Sequence, residues 1–210
     1  TDFIVPDTCI VTMDDIWKLY KSRFPKNIDV YFVNTLEETE LEKEVSKFIN
    51  YNMIIGFGGG QALDIAKYFS WKCNLKLFQF PTSISVDAVF GHRSGIRRDG
   101  NVNYIGWAIP ECVFLDYEII QSAPKIYNYS GIGDVLCFYT GVLDWQYANK
   151  QNKCEEKWSY KSELVNKSLG YVEDLLSNAE NIKEMNEEGI HAIIRCLLYT
   201  SPSPRDRSSS

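Results

Sequence analysis

The sequence predicts an α/β domain built on a parallel sheet, followed by a second, all-helical part, and three observations carry that prediction. Short apolar strand patterns alternate with amphipathic helical ones through the first half of the chain, the order expected when crossover helices cover a parallel sheet. One of these strands, Met53-Ile54-Ile55, runs directly into the glycine cluster Gly56-Phe57-Gly58-Gly59-Gly60 and then into a helical pattern. Beyond Pro124 the strand signals stop and long helical patterns begin. The chain has 210 residues, 45% of them hydrophobic, which is enough apolar material for a core of this extent.

Asp14 to Phe24 sets Ile16, Leu19, Tyr20 and Phe24 at helical spacing before Pro25, which predicts a short amphipathic helix. Val30 to Val33 reads as a buried strand. Glu37 to Ile49 reads as a helix with Leu41, Val45 and Phe48 on its inner face. After the glycines, Ala62, Ile65, Ala66 and Phe69 keep helical spacing from about Gln61 onward, and Leu75 to Phe80 is a strand stopped by Pro81. Asp99-Gly100 between SGIRR and NVNYI predicts a hairpin with a tight turn, and Glu111 to Leu115 a last strand. Helices are expected over Ile132 to Ala148, about Lys157 to Ser177, and Ile182 to Arg195. With a boundary near Ser122, the α/β domain takes residues 1–121 and the helical part 122–195. From Cys196 the sequence CLLYTSPSPRDRSSS resembles the translation of a sequencing adaptor, so 196–210 is set apart from the fold as a tail, and the natural sequence is expected to continue past Arg195.

The charge balance, 28 Asp and Glu against 22 Lys and Arg, speaks against a general affinity for nucleic acid or anionic membrane and points to small-molecule partners. No apolar run reaches the roughly 18 residues of a membrane-spanning helix. Six scattered cysteines without a CxxC pair read as reduced, mostly buried thiols of a cytoplasmic protein. The two histidines, His92 and His191, leave a His-rich metal site or a catalytic triad little to draw on.

Glycines between a strand and a helix let a backbone approach a phosphate, and the helix N-terminus offers free N–H groups. Gly56, Gly58, Gly59 and Gly60 fit that use, although no Gly-Lys-Ser/Thr closes the loop and Gln61 stands where GxGxxG has its third glycine; a tight strand-to-helix turn is the alternative. In FPTSISVDAVFG, Phe80 to Gly91, the hydroxyls of Thr82, Ser83 and Ser85 and the carboxylate of Asp87 follow a strand. At the carboxyl end of a parallel sheet they would line the same crevice as the glycines. The helix Ile132 to Ala148 is apolar nearly all round and is expected to be buried, with Asp134 in its first turn; such a carboxylate needs a partner, a metal or the helix N-terminus.

Taken together, GFGGGQALDIAKYFS, FPTSISVDAVFG, AIPECVFLDYEII, APK and SGIGDVL through DWQYA resemble the metal-dependent polyol dehydrogenases of the iron-alcohol dehydrogenase and dehydroquinate synthase superfamily, most of all its sn-glycerol-1-phosphate dehydrogenase branch. The resemblance spans about Ile28 to Arg195 and implies a dehydroquinate synthase-like fold with the active site between the two parts. It implies that Gly58, Gly59, Gly60, Gln61 and Ala62 hold the pyrophosphate of NAD or NADP, and that Thr82, Ser83, Ile84 and Ser85 meet its nicotinamide half. Asp87 matches the aspartate that binds a substrate hydroxyl, and Asp134 the one that ligates zinc, or another divalent metal, and touches substrate. Both are therefore the expected catalytic residues. Asp64 and Lys67 belong to the family's loop-helix motif, with a structural role as the alternative.

The departures bear on substrate and metal. Gly91 stands where the family often has a serine, Val86 where the glycerol-phosphate branch often has histidine, and Phe138 where iron enzymes have a histidine ligand. The implied function is hydride transfer between NAD(P)H and dihydroxyacetone phosphate, giving sn-glycerol 1-phosphate for glycerophospholipid or glycerol phosphate metabolism, in an enzyme open to homo-oligomerisation. Arg93, Arg97 and Arg98 are candidate partners of the substrate phosphate, with solvated hairpin charges as the alternative. The rivals are a glycerol or other polyol dehydrogenase, a dehydroquinate-synthase-like lyase, and a cofactor-binding protein without catalysis. With one carboxylate ligand, the chain as given is expected not to hold zinc tightly or turn over.

Overall fold

A computed structural model describes residues 7–200. Five parallel strands form the sheet: β1 (Thr8–Thr12), β2 (Asp29–Phe32), β3 (Met53–Gly58), β4 (Lys76–Pro81) and β7 (Cys112–Val113). They stand in the order β2-β1-β3-β4-β7, while β5 (Ser94–Arg98) and β6 (Asn101–Ile105) form a separate antiparallel hairpin. Asp99 at φ 52° and Gly100 at φ 76° make its turn left-handed at both central positions, as two-residue hairpin loops favour.

Strand β1 was not among the elements expected from sequence, although its partners β2 and β3 were. Its signal is the short apolar run Cys9-Ile10-Val11, buried throughout and indistinguishable by period from other short apolar segments. The strands read as apolar runs because the sheet is covered on both sides. Cys9, Val11, Ile54 and Leu77 face one core cluster, with Leu41, Phe48, Ile65 and Phe69. Ile10, Met53, Ile55 and Phe57 face another, with Ile119 and the partly buried Ile16, Trp17, Tyr20 and Phe24.

Helix α1 (Asp14–Tyr20) ends in a 3-10 turn at Lys21–Arg23, and its inner face uses Trp17 rather than the expected Leu19, which is 70% exposed. Helix α2 (Glu38–Glu44) likewise tightens into a 3-10 turn at Val45–Phe48. Helix α3 (Gly60–Cys73) begins one residue before the expected Gln61 and stops at Asn74, whose left-handed φ of 53° ends it. The short helix α4 (Tyr117–Ser122) is a second element the hydrophobic pattern did not reveal. Its signal is a cap, since the Ile119 N–H donates to Asp116 Oδ1 at 3.1 Å.

The long helix α5 (Lys125–Lys150) starts behind Pro124, two turns earlier than the apolar pattern suggested. Helices α6 (Ser162–Ser177), α7 (Ala179–Glu184) and α8 (Glu187–Thr200) complete the described residues; the left-handed Met185 at φ 56° splits α7 from α8 where a single helix was expected. Two expectations are corrected here. Helix α5 is not buried all round: among the described residues α6 and α8 cover one stripe of it, so Leu136 and Tyr147 are 46% and 67% exposed. Nor does the fold change at Arg195, because α8 continues to Thr200 with Cys196 and Leu197 in the helical core. The remainder of the tail lies outside the described residues.

Nor are the cysteines mostly buried. None of the six is in a disulfide, but only Cys9 and Cys196 are buried, whereas Cys112 and Cys137 are exposed. Burial, with Asp29 nearby, pushes the Cys9 thiol up to about 12, and burial, with Asp174 nearby, pushes Cys196 up to about 11. Thiolate is the reactive form. At pH 8 a thiol-labelling reagent should therefore modify Cys112 and Cys137 in the native chain and reach Cys9 and Cys196 only after denaturation. Rapid native labelling of Cys9 would contradict this burial.

Candidate active site

In the sheet order β2-β1-β3-β4-β7, chain direction across the sheet reverses between β1 and β3, and the crevice beyond the carboxyl ends of such neighbouring strands is where open α/β sheets bind ligands. The glycine loop lies there. β3 ends at Gly58, and Gly59 caps α3 with extended backbone and no side-chain bond. The first N–H groups of α3, from Gly60, Gln61 and Ala62, have no partners within the helix and carry the positive end of its dipole. That arrangement suits a phosphate.

Gly60 has a second use. A Cβ there would stand 2.7 Å from Val86 Cγ2, so the missing side chain lets the Thr82–Asp87 loop lie against the start of α3. That loop follows β4. The Thr82 N–H donates to the Gly58 carbonyl at 3.0 Å, and Ser83 Oγ lies 3.6 Å from where a Cβ on Gly59 would project. Thr82 and Ser83 thus lie beside the glycine loop, and Ser85 follows them in the same segment. Within the expected cofactor set Ala62, Thr82 and Ile84 have buried side chains; Ala62 has its backbone N–H to offer, whereas the Ile84 N–H is already taken.

Helix α5 brings its expected carboxylate to this loop. The Asp87 N–H donates to Asp134 Oδ2 at 3.1 Å, across 47 residues of sequence. The expected placement of Asp134 in the first turn is corrected, because α5 begins at Lys125 and Asp134 lies in its third turn. The helix N-terminus, whose field fades within one turn, does not stabilise that carboxylate; the loop amide does.

Three further residues hold the loop, and sequence patterns indicate little of this. Asn128, fully buried, accepts from the Ile84 N–H at 3.0 Å and donates to the Ile120 carbonyl at 2.8 Å. Gly131, one turn on, lies so close that a Cβ would be 2.1 Å from the Ile84 carbonyl oxygen. From the other side comes Lys67, 1% exposed. Its ammonium donates to the carbonyls of Ala88, Gly91 and Arg93 at 2.8, 3.2 and 2.7 Å and pairs with Asp64 Oδ1 at 2.7 Å. The structural alternative for Asp64 and Lys67 is therefore the one realised: the pair ties down the backbone of the Asp87 loop.

Of the candidate phosphate arginines, Arg98 is corrected. Its guanidinium makes a two-pronged pair with Glu38, at 2.5 and 2.9 Å, fastening the hairpin to α2, and holds the Glu38 carboxyl below its ordinary value. Arg97 is exposed on the hairpin, and Arg93 reaches the Tyr104 carbonyl at 3.3 Å. His92 lies edge-on to Trp107 with ring centroids 4.9 Å apart. His191 is exposed on α8, beside a hollow of about 300 Å³ that also involves Tyr117, Glu187, Glu188 and Arg195, and none of the glycine-loop residues lines it.

Among the described residues no group of three or more His, Cys, Asp or Glu side chains is arranged to hold a metal ion. Asp134 offers one carboxylate, already accepting the Asp87 amide, so these residues by themselves do not fit a three-ligand zinc site.

A family model for iron-containing alcohol dehydrogenases matches residues 11–124. The chain is 32% identical over 167 residues to the glycerol-1-phosphate dehydrogenase [NAD(P)+] of Thermococcus kodakarensis, covering 79% of this chain and 46% of that protein. It is 30% identical over 197 residues to the protein of the same name from Pyrococcus abyssi, covering 92% and 55%. The chain thus spans about half the length of the curated relatives it matches. Among solved structures, the glycerol dehydrogenase of Schizosaccharomyces pombe superposes with a TM-score of 0.69 at 20% identity, over 90% of this chain and 52% of that one. The sulfoacetaldehyde reductase of Bifidobacterium kashiwanohense, in complex with NAD+, does so with a TM-score of 0.65 at 16% identity, over 91% and 57%. At those identities the structural likeness speaks for the fold, which is the dehydroquinate synthase-like α/β architecture expected from sequence.

Proposed function

The chain belongs to the iron-containing alcohol dehydrogenase family, and from that premise we propose that it forms the cofactor and substrate side of an NAD(P)-dependent oxidoreductase acting on dihydroxyacetone phosphate and sn-glycerol 1-phosphate. The observation that carries this reading is the bond from the Asp87 amide to the Asp134 carboxylate, which gathers loop and helix at the carboxyl end of the sheet. Gly58, Gly59, Gly60 and the first N–H groups of α3 bind the pyrophosphate through backbone donors. Thr82, Ser83 and Ser85 orient the nicotinamide half, and Asp87 fixes a substrate hydroxyl against it. When bound, the nicotinamide supplies or takes up the hydride. The names of the curated relatives support both the nucleotide and the phosphorylated substrate.

Asp134 is the residue we propose as a ligand to zinc or another divalent metal; because the described residues supply only that one carboxylate, no step is derived through the metal. A polyol without phosphate is the second reading, favoured by the commitment of Arg98 to Glu38. That none of the six cysteines is in a disulfide accords with a reducing compartment, and we assign the enzyme to the cytoplasm. No helix among the described residues is long and apolar enough to cross a membrane.

Titration of NADH and NADPH into the protein, followed by nicotinamide fluorescence, is expected to show saturable binding. In the full-length protein, oxidation of the bound nucleotide should then depend on dihydroxyacetone phosphate. Absence of nucleotide binding would sink the oxidoreductase reading. Activity with glycerol or dihydroxyacetone but not with the phosphate ketone would replace the substrate.

A further inference from the structure

Asn128, Gly131 and Asp134 follow one another at three-residue steps along α5 and meet backbone groups of a single loop: the Ile84 N–H, the Ile84 carbonyl and the Asp87 N–H. Gly131 and Asp134 lie within the SGIGD motif; Asn128 does not, and no expected role fell to it. Yet its side chain is 0% exposed and both ends of its amide are used, one on the loop and one on the last turn of α4. A buried amide satisfied at both ends has one orientation, so it fixes a distance as well as filling space.

We propose that Asn128 is a positioning residue for hydride transfer. By holding Ile84 to α5, it sets the Thr82–Ser85 segment, and with it the nicotinamide, at a fixed separation from Asp134 and the substrate. It touches neither cofactor nor substrate and acts through the Ile84 amide. This inference rests on the proposed use of the loop for the nicotinamide half of the cofactor. It separates the two halves of the nucleotide, because the glycine loop at the end of β3 makes no bond to Asn128.

The test exploits that separation. In the unaltered protein, NADH and ADP-ribose, which lacks the nicotinamide, are titrated side by side, and the ratio of their affinities reports the contribution of the Thr82–Ser85 segment. Asn128→Ala is expected to weaken NADH binding by about tenfold while leaving ADP-ribose affinity unchanged, so that the ratio collapses. If both affinities fall together, Asn128 only supports the fold; if neither changes, the loop is held without it. Either outcome overturns the proposal.

Asn128→Asp keeps the assay decisive if the alanine variant does not fold. In this variant the introduced carboxyl, when neutral, can accept from the Ile84 N–H and donate to the Ile120 carbonyl, whereas its ionised form can only accept. The NADH to ADP-ribose ratio of N128D should therefore recover as pH falls through the titration of that carboxyl, with the unaltered protein flat over the same range. A ratio independent of pH in N128D counts against the positioning role. Failure of the unaltered protein to bind NADH at all is a different result, since it removes the oxidoreductase reading itself.

Discussion

Replacing Gly131 by alanine is expected to lower the melting temperature by about 10 °C and to weaken nucleotide binding with it. The added Cβ would lie 2.1 Å from the Ile84 carbonyl oxygen, a backbone atom that no rotamer change can move aside. Overpacking costs about 1–3 kcal/mol where side chains can yield, and here the helix or the loop must shift as a whole, so the upper end applies. At about 2–4 °C per kcal/mol for a chain of this size, that gives the stated drop. Gly133, two residues on, is the control. A Cβ there meets nothing within 4 Å, and Gly133→Ala should hold or raise the melting temperature, because alanine is the better helix former by about 1 kcal/mol. Equal melting temperatures for the two variants would show that α5 does not press on the loop as described.

The second large effect is expected from Lys67→Met. Methionine fills a similar volume but removes an ammonium that serves three carbonyls and the Asp64 carboxylate, within a site where Lys67 is 1% exposed. Removing one partner of a buried pair typically costs about 3–5 kcal/mol, chiefly because the other is left uncompensated. Urea denaturation should show a lower midpoint with an unchanged slope. In the double variant Lys67→Met, Asp64→Leu the two losses should not add, and the shortfall measures the coupling of the pair. A midpoint unchanged in the single variant would mean that water replaces the ammonium and that the Asp87 loop does not depend on it.

Much of the fold was legible because the pattern of apolar residues directly records which face of an element is covered. The apolar run Met53 to Ile55 and the spacing of Ala62, Ile65, Ala66 and Phe69 depend only on neighbours in sequence, and both appear in the core as expected. The hairpin turn at Asp99-Gly100 was legible for the same reason, as a local requirement for left-handed backbone. The misses have equally definite causes. Strand β1 is buried at every position and so has no alternation to mark it, and α4 is announced by an Asp116 cap rather than an apolar stripe. Helix α5 reads as buried all round because composition reports what a helix is able to bury; which side is covered depends on where α6 and α8 pack.

For the site, sequence supplied the chemical groups: the glycine loop, the hydroxyls of Thr82, Ser83 and Ser85, and the carboxylates of Asp87 and Asp134, all of residue types suited to a nucleotide and a hydroxylated ligand. Only the tertiary structure decided how they are held. Asp134 meets the amide of a residue 47 positions away, Asn128 one 44 away, and Lys67 carbonyls 21 to 26 away. Sequence by itself thus determined the family and the parallel-sheet architecture and named the candidate groups of the site, because each is carried by motif, local spacing and residue type. The tertiary structure alone assigned Asn128, Gly131 and Lys67 to the loop, because a buried polar group or a missing side chain acquires its purpose from what packing places beside it.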